Sequence, residues 1–433
     1  MKMLKTVILG ATALATVGAM NAETVRITGS TAFRKATLAA IVDQLSTGGK
    51  TVRAGYVASK TGLNGANQAT FTNGTDTVQC CFAGSVGGVD WVLNQSNVRT
   101  GVTSADLDTR AWIAVPANYA TAWATASTAL AATDGTYIGT NSGVALSTFT
   151  AAGPATITMS DSFQSSTPFY YDAGFADMQG KDVGVVTFIV AKGLEQPGLP
   201  SGSYARLTNI TGLQFQALAS AGVLPLSFFT GDTTNDSSVN VVLVGRDADS
   251  GTRLCSFAEA GYGSVNTPAK QYRAFDASSN DVGTVSTAGA IKTLTLVGGT
   301  DGYSSGSMLK TVLGKAIDST ATVGGNKFIL VGYAGTNDTP GAAQQLTWNG
   351  CSFSAANVQQ GAYSFWSAQH MYRLPTVSED VDGLFTVYTT DAAATIADSI
   401  ATKIISTYAT NAGLKLSDMQ VKRDFEGGLI SRK

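Results

Sequence analysis

Short runs of β-branched residues alternate along the chain with stretches of helical pattern, and this alternation constrains the fold more than any other feature. The runs are Thr24 to Thr28, Val78 to Phe82, Ala155 to Met159, Val183 to Val190, Val239 to Val244 and Lys327 to Val331. Helical candidates are Ala32 to Leu45, Val86 to Leu93, Leu213 to Ala219, Thr252 to Ala260, Ser307 to Leu313, Ala355 to Met371 and Ala392 to Tyr408. Strands separated by helices call for α/β layers and argue against a β-sandwich. A chain of 433 residues exceeds the size at which one core stops growing, so two domains are expected. Residues 102–150 are rich in Ala, Thr and Gly and read as an insertion, which Trp112, Tyr119, Trp123 and Tyr137 would pack in place.

The first 22 residues have the pattern of an export signal. Lys2 and Lys5 form a short basic region, Val7 to Val17 an apolar one, and small residues follow to Ala22, with Ala19 an acceptable alternative cleavage position. The apolar run is too short to span a bilayer, and the first cysteine is Cys80, which disfavours a lipid anchor. A periplasmic or secreted protein is expected. Without Lys2 and Lys5 the 28 basic residues become 26 against 30 acidic ones, a formal charge of −4, so nucleic acid is excluded as a partner. Cys80, Cys81, Cys255 and Cys351 would be free to pair in an oxidising compartment, with Cys255 and Cys351 one candidate pair. No Cys/His spacing suggests a metal, and no cofactor is implied.

The chemistry lies at four strand-to-helix junctions that share small residues and hydroxyls. They are Gly29-Ser30-Thr31 after VRIT, Ser85 in FAGSVGGVDWVL, Ser160-Asp161 in TITMSDSF, and Arg246 to Thr252 in VVLVGRDADSGTRLCSFAEA. Helix starts carry unpaired N–H groups and partial positive charge, so each can cap itself or hold an anion. The fourth junction goes further. Arg246 leaves the strand as Ser250, Gly251 and Thr252 open a helix, so a planar donor fork can converge with N–H and O–H donors on a tetrahedral oxyanion.

On these residues the sequence resembles the phosphate-binding protein of the phosphate ABC transporter, within the class II periplasmic substrate-binding protein family. GSTAF resembles the family's first phosphate loop, GSVGGV its GSxGG loop, and MSDSF the segment holding its aspartate; RDADSGT matches Arg-x-x-x-Ser-Gly-Thr residue for residue. GVVTFIVAKG with LTNITGLQFQAL is similar to the crossover into the second domain, and FILVGYAGTND and GAYSFWSAQHMYR to the later strand and the return. Two departures stand out. Ala32 occupies a position where Phe is common, with Phe33 one place later, and the Ser85 to Asp161 interval is lengthened by the insertion.

The resemblance implies an α/β class II periplasmic-binding-protein fold, two lobes joined by two crossover strands. Lobe 1 would comprise 23–188 with 350–433, and lobe 2 would comprise 189–349. It implies ligand contacts from Thr31, the Ala32 backbone, Ser85, Asp161, Arg246, Ser250, Gly251 and Thr252, with no catalytic residue. The implied function is an exported monomer that binds inorganic phosphate or a related oxyanion and delivers it to ABC transporter membrane subunits. Asp161 would separate ligands, because phosphate at neutral pH keeps a proton to donate and sulfate does not.

The alternatives are a binder of another oxyanion and an extracellular structural or adhesion protein that retains the fold. A phosphate-handling hydrolase is disfavoured: Ser250 lies outside a GxSxG pattern, and His370, the single histidine, reads as structural within a helix-like segment. GDTTNDSSVN lacks the spacing of a calcium loop and reads as a solvated turn.

Overall fold

The computed structural model describes residues 24–57, 62–93, 112–138, 155–170, 175–263, 267–338, 340–341, 344–375 and 391–433, and the backbone of 149–150, 378–379 and 385–386. Residues 1–22, read as an export signal, lie outside the described residues, as do 102–111 and 139–148 of the insertion.

The main elements in chain order are strand β1 (Thr24–Gly29), helix α1 (Arg34–Leu45), strands β2 (Arg53–Val57), β3 (Gln68–Thr72) and β4 (Thr77–Cys81), and helix α2 (Ser85–Leu93). Strands β5 (Ile157–Ser160) and β6 (Gln179–Lys192), helix α3 (Gly212–Ala221), strands β7 (Val223–Pro225) and β8 (Val239–Val244) and helix α4 (Gly251–Glu259) follow. Helix α5 (Gly306–Leu313), strands β9 (Lys327–Gly335) and β10 (Trp366–Arg373) and helix α6 (Asp391–Lys403) complete the set.

One sheet threads both halves in the order β7-β8-β9-β6-β10-β5-β1-β4-β3-β2. Strand β6 makes this continuity. Its first part pairs antiparallel with β10, while Phe188 to Lys192 pair with Val331 to Gly335 of β9. At about 3.3 Å per residue such a strand is long enough to run through two lobes. The chain returns through β10, which pairs with β5. The architecture is α/β, two lobes joined by two crossover strands, as the resemblance implied. All six residues of β8, VNVVLV, are buried, because helices cover both faces of a central parallel strand.

One expected helix is mostly strand. Ala355–Gln359 is helical, but the turn ends at Gly361 in the left-handed conformation, and Trp366–Arg373 is extended. Seven of those eight residues are buried, so polar Ser367, Gln369 and His370 sit on a strand whose two faces are both covered, and the period of two carries no polarity contrast. His370 is therefore a strand residue. All four cysteines are free thiols, so the Cys255 and Cys351 pairing is not formed.

The described part of the insertion covers a sheet edge. Ala124–Thr125 and Thr136–Tyr137 both pair with β2, Trp123 is buried against Gly55, and Trp112 stacks on Trp91 at 4.5 Å. Tyr137 stays largely exposed. Blunting an edge strand in this way removes a row of unpaired backbone groups from solvent.

Candidate functional site

On the lobe 1 side, three junctions are drawn together by glycine. Gly29 ends β1 at positive φ, and its carbonyl accepts Gly84 N–H at 3.0 Å. Gly88 of α2 lies so close that a Cβ there would stand 2.5 Å from Gly29 Cα. Any side chain at Gly88 would lift α2 off the end of β1. The helix thus presents Ser85, buried, beside Asp161, buried, at the end of β5. Ser85 Oγ donates to Asp161 Oδ1 and accepts Asp161 N–H at 3.2 Å.

The lobe 2 side is built differently. Ser250 caps α4 by accepting Arg253 N–H at 3.2 Å. Arg246 donates Nε to Tyr303 O at 2.9 Å and Nη2 to Ser304 O at 2.8 Å, while its own N–H meets Tyr333 Oη at 3.0 Å. Beneath it lies Arg253, 0% exposed, with its guanidinium against the Phe257 ring and bonded to the carbonyls of Arg246 (2.9 Å), Thr267 (3.1 Å) and Gly299 (2.7 Å). Gln271 Nε2 bonds the same Arg246 carbonyl at 3.1 Å and receives Tyr333 Oη at 2.7 Å on its own oxygen. The Arg246 to Thr252 turn is therefore fixed by buried hydrogen bonds whatever occupies the cleft.

The two sides touch. Val86 and Gly87, the second and third residues of α2, donate N–H to Asp249 O at 3.0 and 3.3 Å. A Cβ on Gly251, the first residue of α4, would fall 2.6 Å from Ser85 Oγ and would collide with Asp161 Oδ1. Two helix starts thus face each other across the lobes: α2 donates to the Asp249 carbonyl, and Asp161 packs against Gly251 at the start of α4. Burial pushes the Asp161 carboxyl above the usual carboxylate range, while the Ser85 bond and the charge of Arg246 pull it back. Cys255 Sγ, one turn into α4, donates to Asp161 O at 3.2 Å.

Of the residues singled out in the sequence, Ser85, Asp161 and Gly251 converge directly, with Ser250, Arg246 and Thr252 buried alongside. Thr31 and Ala32 are half-buried and their described bonds are local: Ala32 N–H goes to Ser30 Oγ at 3.1 Å and Thr31 O accepts Arg34 N–H. Phe33 belongs to the core, its ring against Gly184. Sequence reading passed over Asp249, Arg253, Gln271 and Tyr333. Only Arg253, a charge next to the Ser-Gly-Thr motif on an otherwise apolar helix face, left a local signal.

Among the described residues no helix is long and apolar enough to cross a membrane, and no group of three or more His, Cys, Asp or Glu could hold a metal. No family model and no curated protein matches the sequence. Solved structures do. A Clostridium perfringens protein solved with bound phosphate, assigned as a phosphate ABC transporter substrate-binding protein, is 11% identical, with 90% of this chain and 96% of that chain covered and a TM-score of 0.42. An ABC-type phosphate transport receptor from Vibrio cholerae is 11% identical over 90% of this chain and 99% of its own, at a TM-score of 0.41. PstS from Borrelia burgdorferi is 9% identical over 90% and 95%, at 0.36.

Proposed function

We propose that this chain is an exported, non-enzymatic oxyanion-binding protein, with phosphate as its ligand, that hands its cargo to the membrane subunits of an ABC transporter. The lobes, 23–188 with 350–433 and 189–349, would part to admit the ligand and close around it. One observation carries this reading: two helix starts on opposite lobes face each other, Gly251 against Ser85 and Asp161, with Ser250 and Arg246 buried at the same turn. Donors so arranged seek acceptor oxygens, and a tetrahedral anion supplies several at once. In the closed form the Asp249 carbonyl meets part of that demand at α2, so binding there exchanges a protein oxygen for a ligand oxygen. Asp161 then remains as the acceptor for a phosphate proton.

The same contact favours a second reading, a structural protein that keeps the fold with its cleft permanently shut, since the start of α2 already has the Asp249 carbonyl as partner and Asp161 packs on the start of α4. Calorimetric titration of protein unfolded, dialysed and refolded to strip endogenous ligand separates the two. Saturable phosphate binding, stronger than sulfate binding, supports the transporter reading. Absence of binding to phosphate and sulfate alike supports the structural one.

A further inference from the structure

The C-terminal hairpin, Val421–Lys422 paired with Ser431–Arg432, carries a segment that touches both lobes. On one side Arg423 Nη1 meets Glu259 Oε2 at 2.9 Å, at the last residue of α4, and both side chains are nearly out of solvent (3% and 8% exposed). Arg423 also donates to Trp366 O at 3.0 Å and Ser364 O at 2.8 Å, where the return crossover begins. Gly427 lies flat against the same helix end, where a Cβ would be 2.5 Å from Ala258 C. On the other side Glu426, 5% exposed, accepts Phe163 N–H at 2.6 Å and the Ser166 hydroxyl, just beyond Asp161.

We propose that residues 423–427 are a clasp that holds the cleft shut by tying the C-terminal end of α4 to the loop that follows Asp161. Helix α4 is short and stiff, and its other end bears Ser250 and Gly251, so restraining Glu259 restrains the contact between Gly251 and Asp161. Opening the lobes requires the buried Arg423–Glu259 pair or the Glu426 bonds to break, and separating such a pair exposes unpaired charge. The closed form is then the resting form, and ligand enters from a minor open population. The proposal rests on the proposed function only in treating the cleft as the ligand's seat.

Hydrogen exchange of the full chain without ligand tests it. Val86 N–H lies in the first turn of α2 and donates to Asp249 O across the cleft, so its protection reports that contact. Glu426→Gln, and separately Arg423→Met with Glu259→Gln, should speed exchange in the peptide containing 85–93 by about tenfold or more, with β8 amides unchanged. Unchanged exchange at 85–93 in variants that keep β8 protection overturns the clasp; if the double variant loses β8 protection as well, Glu426→Gln alone decides. Faster exchange in a protein that binds no phosphate leaves the clasp standing and removes the proposed function.

Discussion

The two sides of the cleft are assembled by opposite means. The lobe 2 side is continuous in sequence, seven residues from Arg246 to Thr252, and it is held from beneath by buried side chains: Arg253, Gln271 and Tyr333. The lobe 1 side gathers residues from three separate segments, and what lets them meet is the absence of side chains at Gly29 and Gly88. One side is rigid because polar groups are satisfied, the other because backbones meet. Disturbing the first should release a loop, and disturbing the second should separate elements.

The largest effect is expected from Arg253→Met. It keeps most of the volume but removes three charge-assisted hydrogen bonds to carbonyls, at about 1.5–3 kcal/mol each. Urea unfolding should show a loss above about 3 kcal/mol, and Arg253→Lys should recover part of it. A near-wild-type midpoint for Arg253→Met would mean that lobe 2 does not depend on its polar underlayer. Next comes Gly88→Ala on the other side, where the new methyl meets Gly29 and Thr158; a cost of about 1–3 kcal/mol is expected from overpacking, with Gly87→Ala, whose nearest neighbour is at 3.1 Å, costing less. Equal costs at the two glycines would break the contrast.

Arg246→Ala should weaken oxyanion binding by at least about tenfold, roughly 1.4 kcal/mol, read by calorimetry. The smallest effect concerns Asp161. Its folded-state pKa is raised, so the folded chain holds that proton more tightly than the unfolded chain, and stability is lost as pH rises through the raised value. Asp161→Asn should therefore gain stability over the parent near neutral pH, with the gain shrinking as the pH falls from the raised value to the ordinary carboxylate range and level below it. A gain independent of pH, followed by thermal unfolding, would show that Asp161 is not held against its burial.

This contrast also explains what could be read from the sequence. The α/β alternation and the ends of α1 to α5 were visible because apolar period and helix-start residues lie close together in the chain. RDADSGT was visible because its side is contiguous. Strands β2, β3 and β10 were not, since RAGYV, QATFT and WSAQHMYR mix Gly, Ala, Thr, Ser and Gln with apolar residues on buried faces. Asp249 was passed over because its backbone carbonyl does the bonding, a role that leaves no mark on residue identity. Glu426 lies 263 residues from Phe163, and nothing local announces that meeting.

The central claim is that the facing helix starts receive an oxyanion, and titration of stripped protein with phosphate by calorimetry tests it most directly. The prediction is saturable binding at one site per chain, weaker for sulfate and weakened at least about tenfold in Arg246→Ala. No heat and no thermal stabilisation with phosphate at millimolar concentration, in protein shown to be folded, would contradict it.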